Sequence, residues 1–401
     1  MVPKFLWVLL FLLVAINCQQ KCFRKGLKWS TKKGNIVLND KYIYRVKGIN
    51  WWGAQGKKMA PFGTFWRRDI KARPITFYLD WLAKYNFNAI RYPHSVRMVL
   101  NNPETVFRRA NMKSLNPGMK GTRALDVLEY IIDESAKRGI LILLDQHTLG
   151  FYQPSGVWYN QQYSAEQFQE SWEKLLHRFG KKWNIFGLDL NNEPHRQATW
   201  GSGDNKTDWL MESERLVKHL AQKYPDYKGL FFVEGLCCGF RADRWFGHMK
   251  PEDKRFTTGD PKLDSRVVFS PHRYRPGRGD KKNPPLPADM ESKMEEQFGW
   301  IEKEMGNAVV FGEWGMVAGN ERGKEWMDRL VKFLKEQCIT DTFYWSLRHG
   351  GYGVLQSDWN TPYPELIEGL NQLQQYPSKL KKEEEKFCID EGKSSCTGGV
   401  E

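Results

Sequence analysis

The chain has 401 residues, and lysine and arginine outnumber aspartate and glutamate by 61 to 47, which gives a formal net charge of +14. This length is large for an average single domain but normal for one α/β barrel with insertions. A charge of this size suggests nucleic-acid binding. The basic residues, however, are spread along the predicted helices and the C-terminal tail rather than clustered with aromatic residues, so we expect no nucleic-acid partner. No CxxC pair, Cys/His cluster or HExxH motif occurs, and we predict no metal and no cofactor.

Residues 1–18 are typical of a secretory signal peptide. Lys4 precedes an apolar run over residues 5–16, which is too short to cross a membrane as a helix, and no later stretch is long enough. We therefore predict cleavage near Cys18 and a secreted, extracellular protein without membrane contact. Six cysteines would remain, and they allow three disulfides in 15 pairings among which the sequence does not choose. They are Cys22, Cys237, Cys238, Cys338, Cys388 and Cys396.

Strand-like and helix-like segments alternate along the rest of the chain. Residues 35–38 and 41–45 flank Asn39-Asp40 and predict a hairpin. Eight runs rich in Val, Ile, Leu and Phe, as expected for strands buried on both faces, cover residues 45–50, 89–93, 140–146, 186–191, 230–234, 267–271, 309–313 and 342–346. Amphipathic segments predict helices over 74–85, 123–138, 165–182, 208–223, 290–305, 323–337 and 364–373. This alternation predicts βα units, and eight strands close a (β/α)8 TIM barrel.

One catalytic domain is expected over residues 22–376, with the hairpin across the bottom of the barrel. Residues 377–401 predict a charged, flexible tail, because the run 379–386 (Lys-Leu-Lys-Lys-Glu-Glu-Glu-Lys) has no core to join. Neither an internal repeat nor a separate binding module is recognisable, and we expect a monomer. Asn205, in the sequence Asn-Lys-Thr, is the predicted glycosylation site.

Two glutamates lie where the fourth and seventh strands end. Glu193 and Glu313 each follow an apolar run and precede a Pro or a Trp-Gly pair. Catalytic groups of TIM barrels lie at the carboxyl ends of the strands, and two carboxyl groups at one mouth can cleave a glycosidic bond. A retaining enzyme holds the pair about 5–5.5 Å apart and an inverting enzyme roughly 6.5–9.5 Å apart. Other strand ends supply side chains that could tune or cover this pair, namely Arg91, His147, His272, Tyr274 and Trp345.

From about residue 29 to residue 373 the chain resembles glycoside hydrolase family 5, and most closely its bacterial-type endo-β-1,4-glucanases (cellulases). Each motif is weak alone, but all occur in order at spacings that suit a barrel. They are Gly48-Ile49-Asn50-Trp51-Trp52-Gly53, Asn192-Glu193-Pro194-His195, Phe232-Val233-Glu234-Gly235, Gly312-Glu313-Trp314-Gly315, Ser357-Asp358-Trp359-Asn360-Thr361 and the loop from Thr199 to Asp204.

The resemblance implies a role for each of eight residues at the cleavage site. It makes Glu193 the acid/base and Glu313 the nucleophile of a retaining hydrolase that needs no cofactor. It places Arg91 and Tyr274 beside the nucleophile, and His272 beside the acid/base. The remaining three would contact the sugar: Asn192 at the 2-hydroxyl, His147 at other hydroxyls and Trp345 under the ring.

The identity of the polysaccharide stays open from the residues alone. A β-1,4-glucan polymer or oligosaccharide is the favoured substrate. A mannanase, a mixed-linkage glucanase or a xyloglucanase would use the same chemistry, because the loops that choose between sugars cannot be interpreted from sequence. A non-catalytic secreted protein that only binds glycan is the third alternative, and the complete set of eight residues argues against it.

The chain contains 17 tryptophans, and an exposed indole can stack on a sugar ring. Five fall in predicted loops on the strand-exit side and are candidate platforms: Trp51, Trp52, Trp158, Trp200 and Trp245. Five others are expected to pack in the shell of the barrel: Trp29, Trp81, Trp172, Trp183 and Trp326. Glu234, at the end of the fifth strand, is a third carboxylate, which we interpret as structural support.

Overall fold

A small antiparallel sheet precedes the barrel. The computed structural model describes residues 20–65, 72–104, 109–151, 156–237, 254–275 and 285–396, and the predicted signal peptide lies outside them. Asn39 and Asp40 have φ values of 54° and 57°, as the type I′ turn of a hairpin requires. The predicted hairpin is therefore present, and β2 extends it in the order β2-β3-β4. The first four strands are β1 (Lys21–Phe23), β2 (Trp29–Lys32), β3 (Asn35–Leu38) and β4 (Tyr42–Ile43).

Nine strand segments form a parallel sheet in the order β10-β9-β8-β7-β6-β5-β13-β12-β11. They are β5 (Lys47–Asn50), β6 (Ala89–Ser95), β7 (Leu141–Thr148), β8 (Ile185–Asp189), β9 (Leu230–Val233), β10 (Val267–Phe269), β11 (His272–Tyr274), β12 (Phe311–Gly315) and β13 (Thr342–Trp345). β10 and β11 are two halves of one strand, since β10 pairs with β9 and β11 pairs with β12. A further bridge joins Phe269 to Val309. The sheet thus closes on itself, which confirms the predicted (β/α)8 TIM barrel.

Helices cover the outside of the barrel. They are α1 (Ile75–Lys84), α2 (Val96–Asn101), α3 (Arg109–Leu115), α4 (Ala124–Lys137), α5 (Ala165–Phe179), α6 (Trp209–Lys223), α7 (Pro261–Asp264), α8 (Met290–Met294), α9 (Ile301–Met305), α10 (Glu321–Glu336) and α11 (Pro364–Leu373). The helix predicted over residues 290–305 is divided by a π-helical turn at Glu295–Gly299. The sequence does not predict α2, α3 and α7, because they are too short to display a helical period.

The C-terminal segment is not the flexible tail that the sequence predicts. β14 (Lys379–Glu383) and β15 (Lys386–Asp390) form an antiparallel hairpin, and β1 adds a third strand in the order β1-β15-β14. Leu380 and Ile389 are fully buried in the hydrophobic core at the amino-terminal end of the barrel strands. Only one residue of the run 379–386 is apolar, so the alternation of a half-buried strand is hidden by its lysines and glutamates.

A disulfide between Cys22 and Cys388 joins β1 to β15, and Cys237 is disulfide-bonded as well. The sequence leaves the pairing open because the two half-cystines of the first bond are separated by 366 positions. This bond lies in the sheet that covers the bottom of the barrel, at the end opposite to the carboxyl ends of the strands. Within the described ranges, no helix is long and apolar enough to cross a membrane.

Candidate active site

The carboxyl ends of the barrel strands bring the predicted residues together at one mouth. Register places Arg91 of β6 beside Asn50 of β5, and His272 of β11 beside Glu313 of β12. Glu193 lies in the loop that follows β8. Neighbouring parallel strands end at the same edge of the sheet, so residues that are far apart in the chain meet in one cleft.

A completely buried guanidinium, that of Arg91, lies at the centre of this cleft. Four carboxylates and two amides surround it: five hydrogen bonds use the five donors of its planar fork, and Asp145 adds an ion pair. Its partners are Asp189 Oδ2 at 2.7 Å from Nε, Glu313 Oε1 at 2.7 Å, Asp145 Oδ2 and Asn50 Oδ1 at 3.0 Å from Nη1, and Asn192 Oδ1 at 2.9 Å and Glu234 Oε1 at 3.0 Å from Nη2. Removal of this one cation would leave several buried carboxylates without a counter-charge.

The carboxylate of Glu313 is held at both oxygens. Oε1 accepts the bond from Arg91, and Oε2 accepts a hydrogen bond of 2.8 Å from the Tyr274 hydroxyl. Burial and the neighbouring carboxylates raise the pKa of Tyr274 well above 10, so that its hydroxyl remains a donor. Glu313 is thereby fixed in direction, with a full positive charge at one oxygen and a neutral donor at the other.

Glu193 faces the same space from the other side. One of its carboxylate oxygens and one of Glu313 lie within 4.8 Å of each other, and a ring nitrogen of His272 lies within the same distance of both. The His272 Nδ1 atom is 3.1 Å from Glu193 Oε1. The Glu193 side chain remains 16% exposed, whereas that of Glu313 is 5% exposed. The first is therefore the more open of the two to an incoming molecule.

A third glutamate, Glu234, lies behind this pair. Its Oε2 accepts a 2.8 Å hydrogen bond from the Glu193 main-chain N–H, and its Oε1 is 3.1 Å from His272 Nε2. Burial raises the pKa of Glu234 to about 8. Burial lowers the pKa of His272, but the charges of Glu234 and Glu313 outweigh it and raise that pKa well above 6.5. His272 therefore holds a proton at neutral pH, and its charge in turn works to lower the pKa of Glu234 against the effect of burial.

The same histidine sets the protonation of Glu193. Burial works to raise the pKa of Glu193, but the hydrogen bond and the charge of His272 outweigh it and leave this pKa below its usual value. Glu193 is thus an ionised carboxylate beside a protonated imidazole. A proton can move along this contact of 3.1 Å when a bound molecule changes the balance.

His147 and Trp345 line the cleft beside Glu313. The Nδ1 atom of His147 lies 2.7 Å from Asp145 Oδ2, which fixes the ring and leaves Nε2 on its other side. The imidazole stacks on the Trp345 indole at a centroid distance of 5.4 Å and an interplanar angle of 9°. The indole of Trp52 lies next to that of Trp345, with ring centroids 6.2 Å apart. Trp52 and Trp345 are both partly exposed, so they offer a continuous aromatic wall.

The other predicted platforms have different outcomes. Trp51 is fully buried and its Nε1 donates to the Phe62 carbonyl, while Trp158 is 2% exposed and packs on a neighbouring indole. Neither can stack on a sugar in this structure, so the platform prediction is wrong for both. Trp200 is partly exposed, with its Nε1 bound to the Lys254 carbonyl. Trp245 lies outside the described residues.

The sequence does not mark Asn50, Asp145 and Asp189 as site residues, although all three bind Arg91. A signal was present for Asp145. It precedes His147 by two positions, and in a strand such residues point to the same face. Three groups of carboxylates and histidines here have the spacing of metal ligands, yet the cation between Asp145 and Glu313 is the Arg91 guanidinium itself.

Comparison with known proteins gives the family. The family model for cellulase (glycosyl hydrolase family 5) matches residues 49–351. An endoglucanase from Paenibacillus polymyxa is 28% identical over 348 residues, which are 83% of this chain and 83% of that protein. The major extracellular endoglucanase of Xanthomonas campestris pv. campestris is 28% identical over 84% of this chain and 69% of its own length. A hyperthermophilic endocellulase from the archaeon Pyrococcus horikoshii superposes with a TM-score of 0.73 at 28% identity, over 87% of this chain and 99% of that one. A complex of that endocellulase with cellotetraose gives a TM-score of 0.74 at 27% identity, with the same shares of the two chains. The protein described here belongs to the cellulase family, glycosyl hydrolase family 5.

Proposed function

We propose that the protein is a secreted, retaining endo-β-1,4-glucanase in which Glu313 is the nucleophile and Glu193 is the acid/base. The observation that carries this proposal is the pair of carboxylates with oxygens within 4.8 Å of each other but in unlike environments. This separation suits attack by a carboxylate on the sugar, and leaves too little room for the water that an inverting pair must hold between them.

Glu313 has the surroundings of a nucleophile. Its oxygens are held by Arg91 and Tyr274, so the carboxylate is oriented before substrate arrives. In the first step one oxygen forms a bond to the anomeric carbon while the bond from that carbon to the leaving oxygen breaks. The product is a glycosyl ester of Glu313. A fixed attacking group increases the rate because it loses little orientational entropy on reaching the transition state.

Glu193 has the surroundings of a group that gains and loses a proton. In the first step it must give a proton to the leaving oxygen, and His272 is the adjacent source at 3.1 Å. This proton neutralises the negative charge of Glu193 as the substrate displaces water from the cleft. In the second step Glu193 takes a proton from a water molecule, the water oxygen bonds to the anomeric carbon, and the bond to Glu313 breaks. That proton then passes from Glu193 back to His272, and the cleft returns to its starting charges.

Three further residues are proposed to hold the sugar. The Asn192 amide, fixed by its oxygen on Arg91, can donate to a 2-hydroxyl from its nitrogen. His147 presents Nε2 to other hydroxyls, and Trp345 lies under the ring, with Trp52 extending the aromatic wall toward the next sugar.

The assignment of β-1,4-glucan as substrate is supported by the endoglucanases and the cellotetraose complex among the similar proteins. Secretion is supported by the N-terminal sequence and by the Cys22–Cys388 disulfide, because such bonds persist in oxidising compartments. Asn205 is exposed, as a glycosylation site must be.

The test is a substrate panel of soluble cellulose, mannan and mixed-linkage glucan, with E193Q as the inactive control. We expect a rapid loss of viscosity and new reducing ends on soluble cellulose, and we expect the first product seen by NMR to be the β-anomer. Preferred cleavage of mannan would overturn the assignment of β-1,4-glucan as substrate and identify the protein as a mannanase. An α-anomer as first product would overturn the retaining mechanism, and equal activity of E193Q would overturn the assignment of the acid.

A further inference from the structure

The carboxyl group of Glu234 contacts three residues of the site at once. It accepts from the Glu193 main-chain N–H through Oε2, while Oε1 lies 3.0 Å from Arg91 Nη2 and 3.1 Å from His272 Nε2. The side chain is completely buried, so it cannot reach a substrate. It does, however, touch the main chain of the proposed acid/base and the far side of the histidine that shares a proton with it.

The contact with Glu193 acts on an unusual piece of backbone. Glu193 has a φ of 49°, in the left-handed region that residues with a Cβ adopt rarely and at some cost. Such a conformation persists only where neighbours hold it. The bond of 2.8 Å from the Glu193 N–H to Glu234 is one such restraint, and a second is the contact of 2.6 Å between the Glu193 carbonyl oxygen and His195 Nδ1. Glu234 therefore helps to fix the direction in which the Glu193 side chain leaves the backbone.

The contact with His272 acts on the proton. Both ring nitrogens of His272 lie 3.1 Å from a carboxylate oxygen, that of Glu193 at Nδ1 and that of Glu234 at Nε2. A neutral imidazole carries one N–H and can donate to one of these oxygens only. If the proton at Nδ1 passes to Glu193, Glu234 still lies 3.1 Å from the opposite nitrogen, where its charge favours a proton on the ring. The charged and titratable groups that face Glu234 are Arg91, Asp189, Glu193 and His272.

We infer that Glu234 is a positioning residue for the acid/base step: it holds the Glu193 backbone and the far nitrogen of His272, and so keeps a transferable proton between His272 and Glu193. This inference rests on the proposed function. It predicts that the loss of the Glu234 carboxyl weakens the donation of a proton to the leaving group and leaves the attack by Glu313 intact.

The variant E234Q keeps the size of the side chain and replaces its carboxyl group with an amide, which cannot exchange a proton with His272. Two substrates are compared by kcat/KM, which reports the first chemical step: a cello-oligosaccharide, whose leaving group needs a proton, and 2,4-dinitrophenyl β-cellobioside, whose leaving group does not. We expect a fall of about 10- to 100-fold on the first and less than about 3-fold on the second, within the range of general acid catalysis. We also expect the basic limb of the pH profile to move on the first substrate only.

A purely structural role would lower kcat/KM equally on both substrates and leave the limb in place, and that result would overturn the inference. If circular dichroism shows that E234Q does not fold, E234D is measured in the same way, because its shorter side chain keeps the carboxyl group but cannot span all three contacts. A larger fall in kcat/KM on the cello-oligosaccharide than on the dinitrophenyl substrate again supports the inference, and an equal fall overturns it. Failure of the proposed function is recognised separately, since the wild-type protein would then cleave neither substrate.

Discussion

Removal of the Cys22–Cys388 disulfide should destabilise the fold and leave catalysis unchanged. The bond closes a loop of 366 positions, for which the chain-entropy relation gives a stabilisation of about 6 kcal/mol. Disulfides in proteins more often contribute about 2–5 kcal/mol, and β1 and β15 keep their backbone pairing without the bond. We therefore expect the C22S/C388S double variant to lose about 3–6 kcal/mol. An unfolding entropy of roughly 0.8 kcal/mol/K for a chain of this length converts that loss to about 4–7 °C in Tm.

The assay is thermal and denaturant unfolding of the oxidised protein, the double variant and the matched variant C396S, which leaves this bond in place. Activity at 25 °C should stay within about twofold of wild type, because the bond lies at the bottom of the barrel and the cleft at its mouth. A change in Tm of less than about 1 °C in the double variant would refute the argument from loop closure. A loss of activity in the folded double variant would refute the conclusion that the disulfide at the bottom of the barrel does not influence the cleft at its mouth.

The contacts in the cleft lead to three further predictions. Y274F should lower kcat roughly 10- to 150-fold with an unchanged circular dichroism spectrum, since it removes a hydrogen bond to charged Glu313 worth about 1.5–3 kcal/mol; a loss below threefold would contradict this. W52A should raise KM roughly 3- to 10-fold, because it removes a partly exposed indole from the cleft wall. W51F should lower Tm and leave KM unchanged, because the Trp51 indole is buried. Equal effects of the two variants on KM would refute this distinction between an exposed and a buried indole. The pKa of His272 is raised in the folded state, so its contribution to the free energy of unfolding is complete below pH 6.5 and is lost as pH rises through the folded value. Urea unfolding of wild type and H272N from pH 6 to 10 should therefore show a gap that shrinks with pH, and a constant gap would contradict the assignment.

Much of the barrel could be predicted because its strands are buried on both faces. Continuous Val, Ile, Leu and Phe leave few alternatives for such segments, and the residues that follow them must meet at one mouth. The same reasoning places Glu193 and Glu313 in one cleft. It does not give their separation or the direction of each side chain, which depend on the loop after β8 and on the left-handed backbone of Glu193.

Other features could not be obtained from the sequence for identifiable physical reasons. The hairpin of β14 and β15 is joined to the core by few apolar residues, with Leu380 the only one in its first strand. Trp51 and Trp52 are adjacent, and the turn after β5 decides which indole faces the cleft. Asp189 resembles an ordinary acid at a strand end until Arg91 is seen beside it. In each case the decisive partner is distant in the chain.

The most direct test of the account is the identity of the residue that carries the sugar. The protein is incubated with 2,4-dinitrophenyl 2-deoxy-2-fluoro-β-cellobioside, digested, and mapped by mass spectrometry, with E193Q and E313Q treated in parallel. We expect one fluorocellobiosyl group per chain on the peptide that contains Glu313, the same label on E193Q because this leaving group needs no proton, and no label on E313Q. A label on Glu193, or a labelled E313Q, would contradict the assignment of the two glutamates.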